Sequence, residues 1–189
     1  MWSAGRHRST QFQTRQVITM HGIVVYESHW GNTAAVAQAI AAGLGSGSRA
    51  VSTDEATHEV VADADLLVVG APVIAFGLAT DKGRAGLADD RKAPAPADIA
   101  HPSMRSWLAG LPSGHAASAA FETRIWWSPR GVTGEIERGL RSAGYAVSAK
   151  PARFVVDGTY GPLREGELDR AREWGAGLAQ AVGIEADIA

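Results

Sequence analysis

Glu27-Ser28-His29-Trp30-Gly31-Asn32-Thr33 stands between a short β-branched run and a helical period. Loops in that place lead straight into a helix N-terminus. Unpaired backbone N–H groups and about half a positive charge there suit a phosphate. Ser28, Asn32 and Thr33 can add side-chain donors, His29 can donate through its ring, and Gly31 lets the backbone approach closely. The loop holds no lysine or arginine, so it lacks the Gly-Lys-Ser/Thr of a nucleoside-triphosphate loop; it also lacks G-x-G-x-x-G. The pattern suits one terminal phosphate held by neutral donors.

A second stretch, Glu122 to Gly131, carries Trp126 and Trp127 side by side where a strand should end. An indole offers a large flat face, so this pair can stack on a planar ring; the alternative is one indole packed under the next helix and the other partly exposed. Arg124 and Arg130 in the same stretch can meet an anionic group, or be solvated and paired with neighbouring acids.

Other chemistry is excluded. There is no cysteine, which removes disulfides, thiol catalysis and iron–sulfur ligation. The six histidines show no i, i+3 or i, i+4 pairing for a metal, and there is no G-x-S-x-G. A phospho-accepting domain needs carboxylates after two strands, and here Glu27 stands alone before Gly70-Ala71. Lysine plus arginine is 18 against 20 acidic residues, too balanced for a nucleic-acid binder driven by bulk charge.

These loops need elements to hold them. Gly22 to Tyr26 and Asp65 to Ala71 read as strands buried on both faces, and Ala116 to Ile125 as a third. A short strand fits Arg49 to Thr53. A strand broken by Pro151 fits Tyr145 to Val156. Val36, Ile40 and Leu44 set one helix; Ser103 to Leu111, the segment through Ile136 and Leu140, and about Glu165 to Val182 set three more. Glu55 to Ala64 is a brief connection or weak helix, and Gly77 to Pro102 is expected to be mostly loop. Alternating strands and helices imply a parallel sheet covered on both faces, with ligands beyond the carboxyl ends of its strands.

Met1 to Thr19 is set apart. It carries Arg6, Arg8 and Arg15, no acid and no apolar period, so it reads as a disordered leader or a start assigned too early, with one domain over 20–189. It lacks the apolar core of a secretion signal, and no apolar run is long enough to span a membrane. Arginine outnumbers lysine 15 to 3, like the coding bias of a GC-rich bacterial genome. A cytoplasmic protein is expected.

The segment Val24 to Thr33 resembles the first strand and phosphate loop of the flavodoxin family, Ser/Thr-x-Thr-Gly-x-Thr. Ser28, Gly31 and Thr33 match, Asn32 is common at its place, and Trp30 replaces the family's middle threonine. The resemblance implies a flavodoxin-like three-layer α/β sandwich with a five-stranded parallel sheet in the order 2-1-3-4-5. It implies flavin mononucleotide (FMN) as cofactor, and a redox partner protein or a small quinone-like substrate. Pro72, Val73, Ile74, Phe76 and Gly77 lie in a stretch similar to the Gly-x-Pro-x-x-Phe-Gly loop of flavodoxin-like quinone reductases, where it borders the isoalloxazine ring; otherwise it is an apolar loop on the sheet end. Flavodoxins often place an aromatic where Trp126 and Trp127 stand. Three functions follow: an FMN protein in electron transfer, an FMN-dependent reductase or oxidase with Gly77 to Pro102 as a lid, or a fold that has lost FMN and serves as a binding or regulatory module.

Overall fold

Side chains alternate across the first strand. Ile23 and Val25 face one side of the sheet and Val24 the other, all at most 6% exposed. A strand buried on both faces must sit inside a sheet, and β1 (Gly22–Tyr26) pairs in parallel with β2 (Arg49–Ser52) and β3 (Leu66–Pro72). The structure, a computed structural model, describes residues 20–188. The leader expected at 1–19 lies outside them.

The sheet order is β2-β1-β3-β4-β5, with β4 at Ala117–Ile125. The last position is shared. β5 (Ala146–Val147) and β6 (Ala152–Val156) both pair in parallel with β4, and the ladder resumes two residues out of step between them. Pro151 has no N–H to give a ladder, which accounts for the break the sequence suggests there.

Helices α1 (Asn32–Leu44) and α6 (Glu167–Ile188) cover one face, closing over Val24, Val68, Phe121 and Phe154. On the other face, α2 (His58–Ala62), α4 (Met104–Ala109) and α5 (Thr133–Ser142) close over Val25, Leu67 and Val69 with Val61, Met104, Ile136 and Leu140. Each such side chain contributes about 1.5–3 kcal/mol by leaving water.

The segment expected as loop contains a helix, α3 (Asp81–Ala88). Gly83 and Gly86 weaken its intrinsic preference. Thr80 caps it by accepting from Gly83 N, and Arg84 anchors it by burying its side chain. Among the described residues no helix is long and apolar enough to cross a membrane, and no cluster of three His, Cys, Asp or Glu could hold a metal.

Candidate functional site

Three helix N-termini meet the carboxyl edge of the sheet, and protein carboxylates answer two of them. Glu122, fully buried in β4, accepts from Val132 N at 2.7 Å and Thr133 N at 3.1 Å at the start of α5. Glu27, 1% exposed after β1, accepts from Met104 N at 2.9 Å at the start of α4. A carboxylate in such a place meets both the orphan amides and the helix dipole. The third, α1, begins at Gly31 with φ 87° and no side-chain cap. Only glycine takes that left-handed conformation without strain. The first amide of the turn to find a carbonyl is Ala35 N, on Gly31 O at 2.9 Å.

A cleft of about 70 Å³ opens in front of that turn. Ser28, His29, Trp30, Asn32 and Thr33 form one wall. Pro72, Val73 and Ile74 form the second, and Thr123, Arg124 and Ile125 the third. Ser28 Oγ is buried and has no hydrogen-bond partner. Thr33 Oγ1 lies 2.7 Å from Thr123 Oγ1. Arg124 donates to Glu122 Oε1 at 3.1 Å, so its charge is already answered.

Beneath the loop lies a buried ionic cluster. Arg84 Nε is 3.0 Å from Glu27 Oε1, although its N–H does not point along a hydrogen bond. Arg84 Nη2 donates to His101 O at 2.6 Å. His29 Nδ1 meets Asp98 O at 2.9 Å, and Nε2 lies 3.5 Å from Glu27 Oε1. Both ring nitrogens therefore face away from the anion space, and only the backbone of His29 is available to it. Burial pushes the His29 imidazole below its ordinary value, against the pull of Asp98 O and Glu27.

The rim is aromatic. Trp30 Nε1 donates to Ala95 O at 3.1 Å, and the indole meets the Tyr160 ring edge-on at 5.0 Å. Asn32 Nδ2 donates to Tyr160 O at 3.0 Å, and Tyr160 Oη to Asp90 at 2.7 Å. These contacts tie the 90–98 and 157–162 segments over the loop and spend the Asn32 amide on the protein itself. After β3, Ile74 and Gly77 exchange both backbone hydrogen bonds at 3.1 Å around Ala75 (φ 46°) and Phe76 (φ 69°). This is a two-residue hairpin tip of the type that usually needs Asn-Gly. It holds Phe76 half-exposed. On the neighbouring strand end, Trp126 and Trp127 are 67% and 55% exposed, so neither packs under α5.

No protein-family model and no curated protein gives a significant match to the sequence. Solved structures do. A flavodoxin from the domain Archaea superposes with a TM-score of 0.60 at 21% identity, over 87% of this chain and 99% of that one. Oxidised flavodoxin 1 from Bacillus cereus gives 0.60 at 13%, over 84% and 97%. A WrbA-like flavodoxin from Agrobacterium tumefaciens gives 0.57 at 18%, over 85% and 96%. The fold is flavodoxin-like.

In a flavodoxin-like sheet the strand order switches between β1 and β3, and ligand crevices open there. The cleft has that position. Of the residues singled out from sequence, Ser28, His29, Trp30, Asn32, Thr33, Pro72, Val73 and Ile74 come together around it, with Gly31 at its rim as the cap of α1. Phe76, Gly77, Trp126 and Trp127 lie outside the cleft, on the loops that follow β3 and β4. Sequence reasoning missed Thr123, Glu122 and Arg84, and also His101, which is 8% exposed. A carboxylate directly after the apolar run Ala119-Ala120-Phe121 was the available sign for Glu122.

Proposed function

We propose that this chain binds FMN, with the phosphate at the start of α1 and the ring on the open edge beside it, and acts in electron transfer or small-molecule redox chemistry. One observation carries the reading: α1 presents uncapped amides beside the buried, partnerless Ser28 Oγ, while Glu27 and Glu122 fill the neighbouring helix starts. A group bringing its own negative charge would answer those donors.

The residues present fit FMN. Ser28, Thr33 and the α1 amides would hold the phosphate, and the apolar Pro72-Val73-Ile74 wall would exclude water from the chain that follows. Phe76, Trp126 and Trp127 offer exposed aromatic faces for a planar ring. Bound FMN would supply one- or two-electron transfer, so the chain itself needs no acid or base at the ring. Its electrons would pass to a redox partner protein or a quinone-like molecule.

A second reading, a module without flavin, is favoured by the Val73–Gly77 tip. Three of its amides are spent inside the chain, Val73 N on Thr123 O and Ile74 and Gly77 on each other, and Val73 and Ile74 add no polar side chain. Titration of the purified protein with FMN and with riboflavin separates the readings. FMN should bind at least tenfold more tightly than riboflavin, about 1.4 kcal/mol or more. Equal affinities would remove the loop after β1 from the site. Failure of both to bind would favour the module.

A further inference from the structure

His29 and Glu27 are 4% and 1% exposed, and they face each other through two atoms that have no hydrogen-bond partner. A carbonyl oxygen only accepts, so the 2.9 Å contact with Asp98 O puts a proton on His29 Nδ1. In the neutral ring Nε2 is then a lone pair, 3.5 Å from Glu27 Oε1, and acceptor meets acceptor. A proton on Nε2 would turn that contact into a donor facing a carboxylate.

The other groups around the ring limit when that happens. Arg84 Nε, from α3, is 3.0 Å from the same Glu27 oxygen, and its charge opposes a second cation. His101, from the segment before α4, stacks on His29 at 6.1 Å and 13°. Its Nε2 faces Ser28 O at 3.2 Å, and its Nδ1 faces Pro102 O at 3.1 Å, Thr53 Oγ1 at 3.2 Å and Arg84 Nη2 at 3.3 Å. Asp98 turns only its carbonyl to His29, its carboxylate accepting from Ala100 N at 3.1 Å. Glu27 and Arg84 cancel, and the loop holds no lysine or arginine. Arg124, on the third wall, is held by Glu122 at 3.1 Å, and His29 is the ring whose open nitrogen faces the Glu27 carboxylate, so charging His29 adds a cation beneath a dianion at α1.

We infer that an oxyanion bound at the start of α1 draws a proton from solvent onto His29 Nε2, so that anion binding and proton uptake are coupled at this site. The inference rests on the anion site proposed above. Coupling of this kind is reciprocal: the bound anion favours the charged ring as much as the charged ring favours the anion.

Sulfate is the probe, because it does not titrate between about pH 5 and 8 and any pH dependence then belongs to the protein. Calorimetric titration of the full chain, at constant ionic strength in two buffers of different ionisation enthalpy, should show net proton uptake, reaching about half a proton per sulfate at the pH where a one-unit shift has its largest effect. The affinity should be about tenfold higher at pH 5.5 than at pH 7.5, a shift of one unit in the group that takes the proton. In histidine NMR spectra the His29 resonance should move toward its charged position on adding sulfate. His29→Asn should bind sulfate with an affinity flat across the range. Sulfate binding without proton uptake, or a His29 resonance unmoved at saturation, would overturn the coupling and leave the anion site standing. These two readouts use the unmodified protein, so they decide the matter even if the variant misfolds. No sulfate binding at any pH would overturn both.

Discussion

Thr33 Oγ1 and Thr123 Oγ1 lie 2.7 Å apart, joining the first turn of α1 to the end of β4 across the mouth of the cleft. Both residues are buried, at 2% and 3% exposure. In a hydroxyl pair one proton is spent on the partner and the other is free to point elsewhere. The pair thus fixes the two walls relative to each other and keeps one donor for an anion.

Stability and binding should separate at this pair. Thr33→Val leaves Thr123 Oγ1 buried without its partner and should cost about 1–3 kcal/mol of folding stability. Adding Thr123→Val removes the orphan and should return most of that loss. FMN affinity should not return with it: the double variant keeps no hydroxyl at this pair and should bind FMN about 1 kcal/mol or more weaker than the parent. Urea melts and flavin titrations of the two single variants and the double variant check this. Recovery of FMN affinity in the double variant would show that the hydroxyls only hold the walls together.

The tip at Ala75 and Phe76 stores strain that a single substitution should release. A non-glycine residue in the left-handed region costs about 1–2 kcal/mol, and glycine returns about 0.5–1 kcal/mol of that as lost chain freedom. Ala75→Gly should therefore stabilise the protein by about 0.5–1 kcal/mol, and Ala75→Val should destabilise it, because a β-branched side chain fits that conformation worst. Thermal midpoints of the two variants should move in opposite directions. Movement in the same direction would mean that the tip relaxes out of this conformation.

The sheet and the helices were legible because each carries its own period. Val36, Ile40 and Leu44 repeat every turn, and Leu66 to Val69 can only be a strand buried on both sides. The loop after β1 was legible because glycine, serine and threonine cluster where a strand runs into a helix. What was hidden has no local signal. Arg84 is on a helix weakened by Gly83 and Gly86, and its partner Glu27 is 57 residues earlier, so only the folded chain brings them together. The His29 ring reads as a phosphate donor until Asp98 O and Glu27 are seen to face both of its nitrogens.

Glu122 should prove the least replaceable carboxylate at this edge. It is fully buried, fills the start of α5 and holds Arg124, which is largely buried itself. Glu122→Ala strands that guanidinium and the amides of Val132 and Thr133, and should cost about 3–5 kcal/mol. Gly131→Ala tests the same contact from the other side. A Cβ at 131 would collide with the Glu122 carboxylate, so the variant should lose stability although alanine gives up less chain freedom on folding than glycine. If Gly131→Ala melts with the parent, the carboxylate does not sit against that backbone.

The last expectation concerns acid. Burial is the leading cause that lowers the His29 pKa below its ordinary 6.5, with Asp98 O and Glu27 opposing it. The unfolded chain then takes up a proton more readily than the folded one as pH falls. Stability from this group is complete above pH 6.5 and is lost as pH drops from there toward the folded value. Urea midpoints measured from about pH 7.5 down to 5.5 should fall, and the fall should be shallower in His29→Asn, which has no proton to accept. Saturating sulfate should also make it shallower in the unmodified protein, because a bound anion brings the folded pKa back toward the unfolded one. A midpoint that stays level down to pH 5.5 without sulfate would show that the folded ring accepts its proton as readily as the unfolded one. Asp98 O and Glu27 would then offset the cost of burial in full.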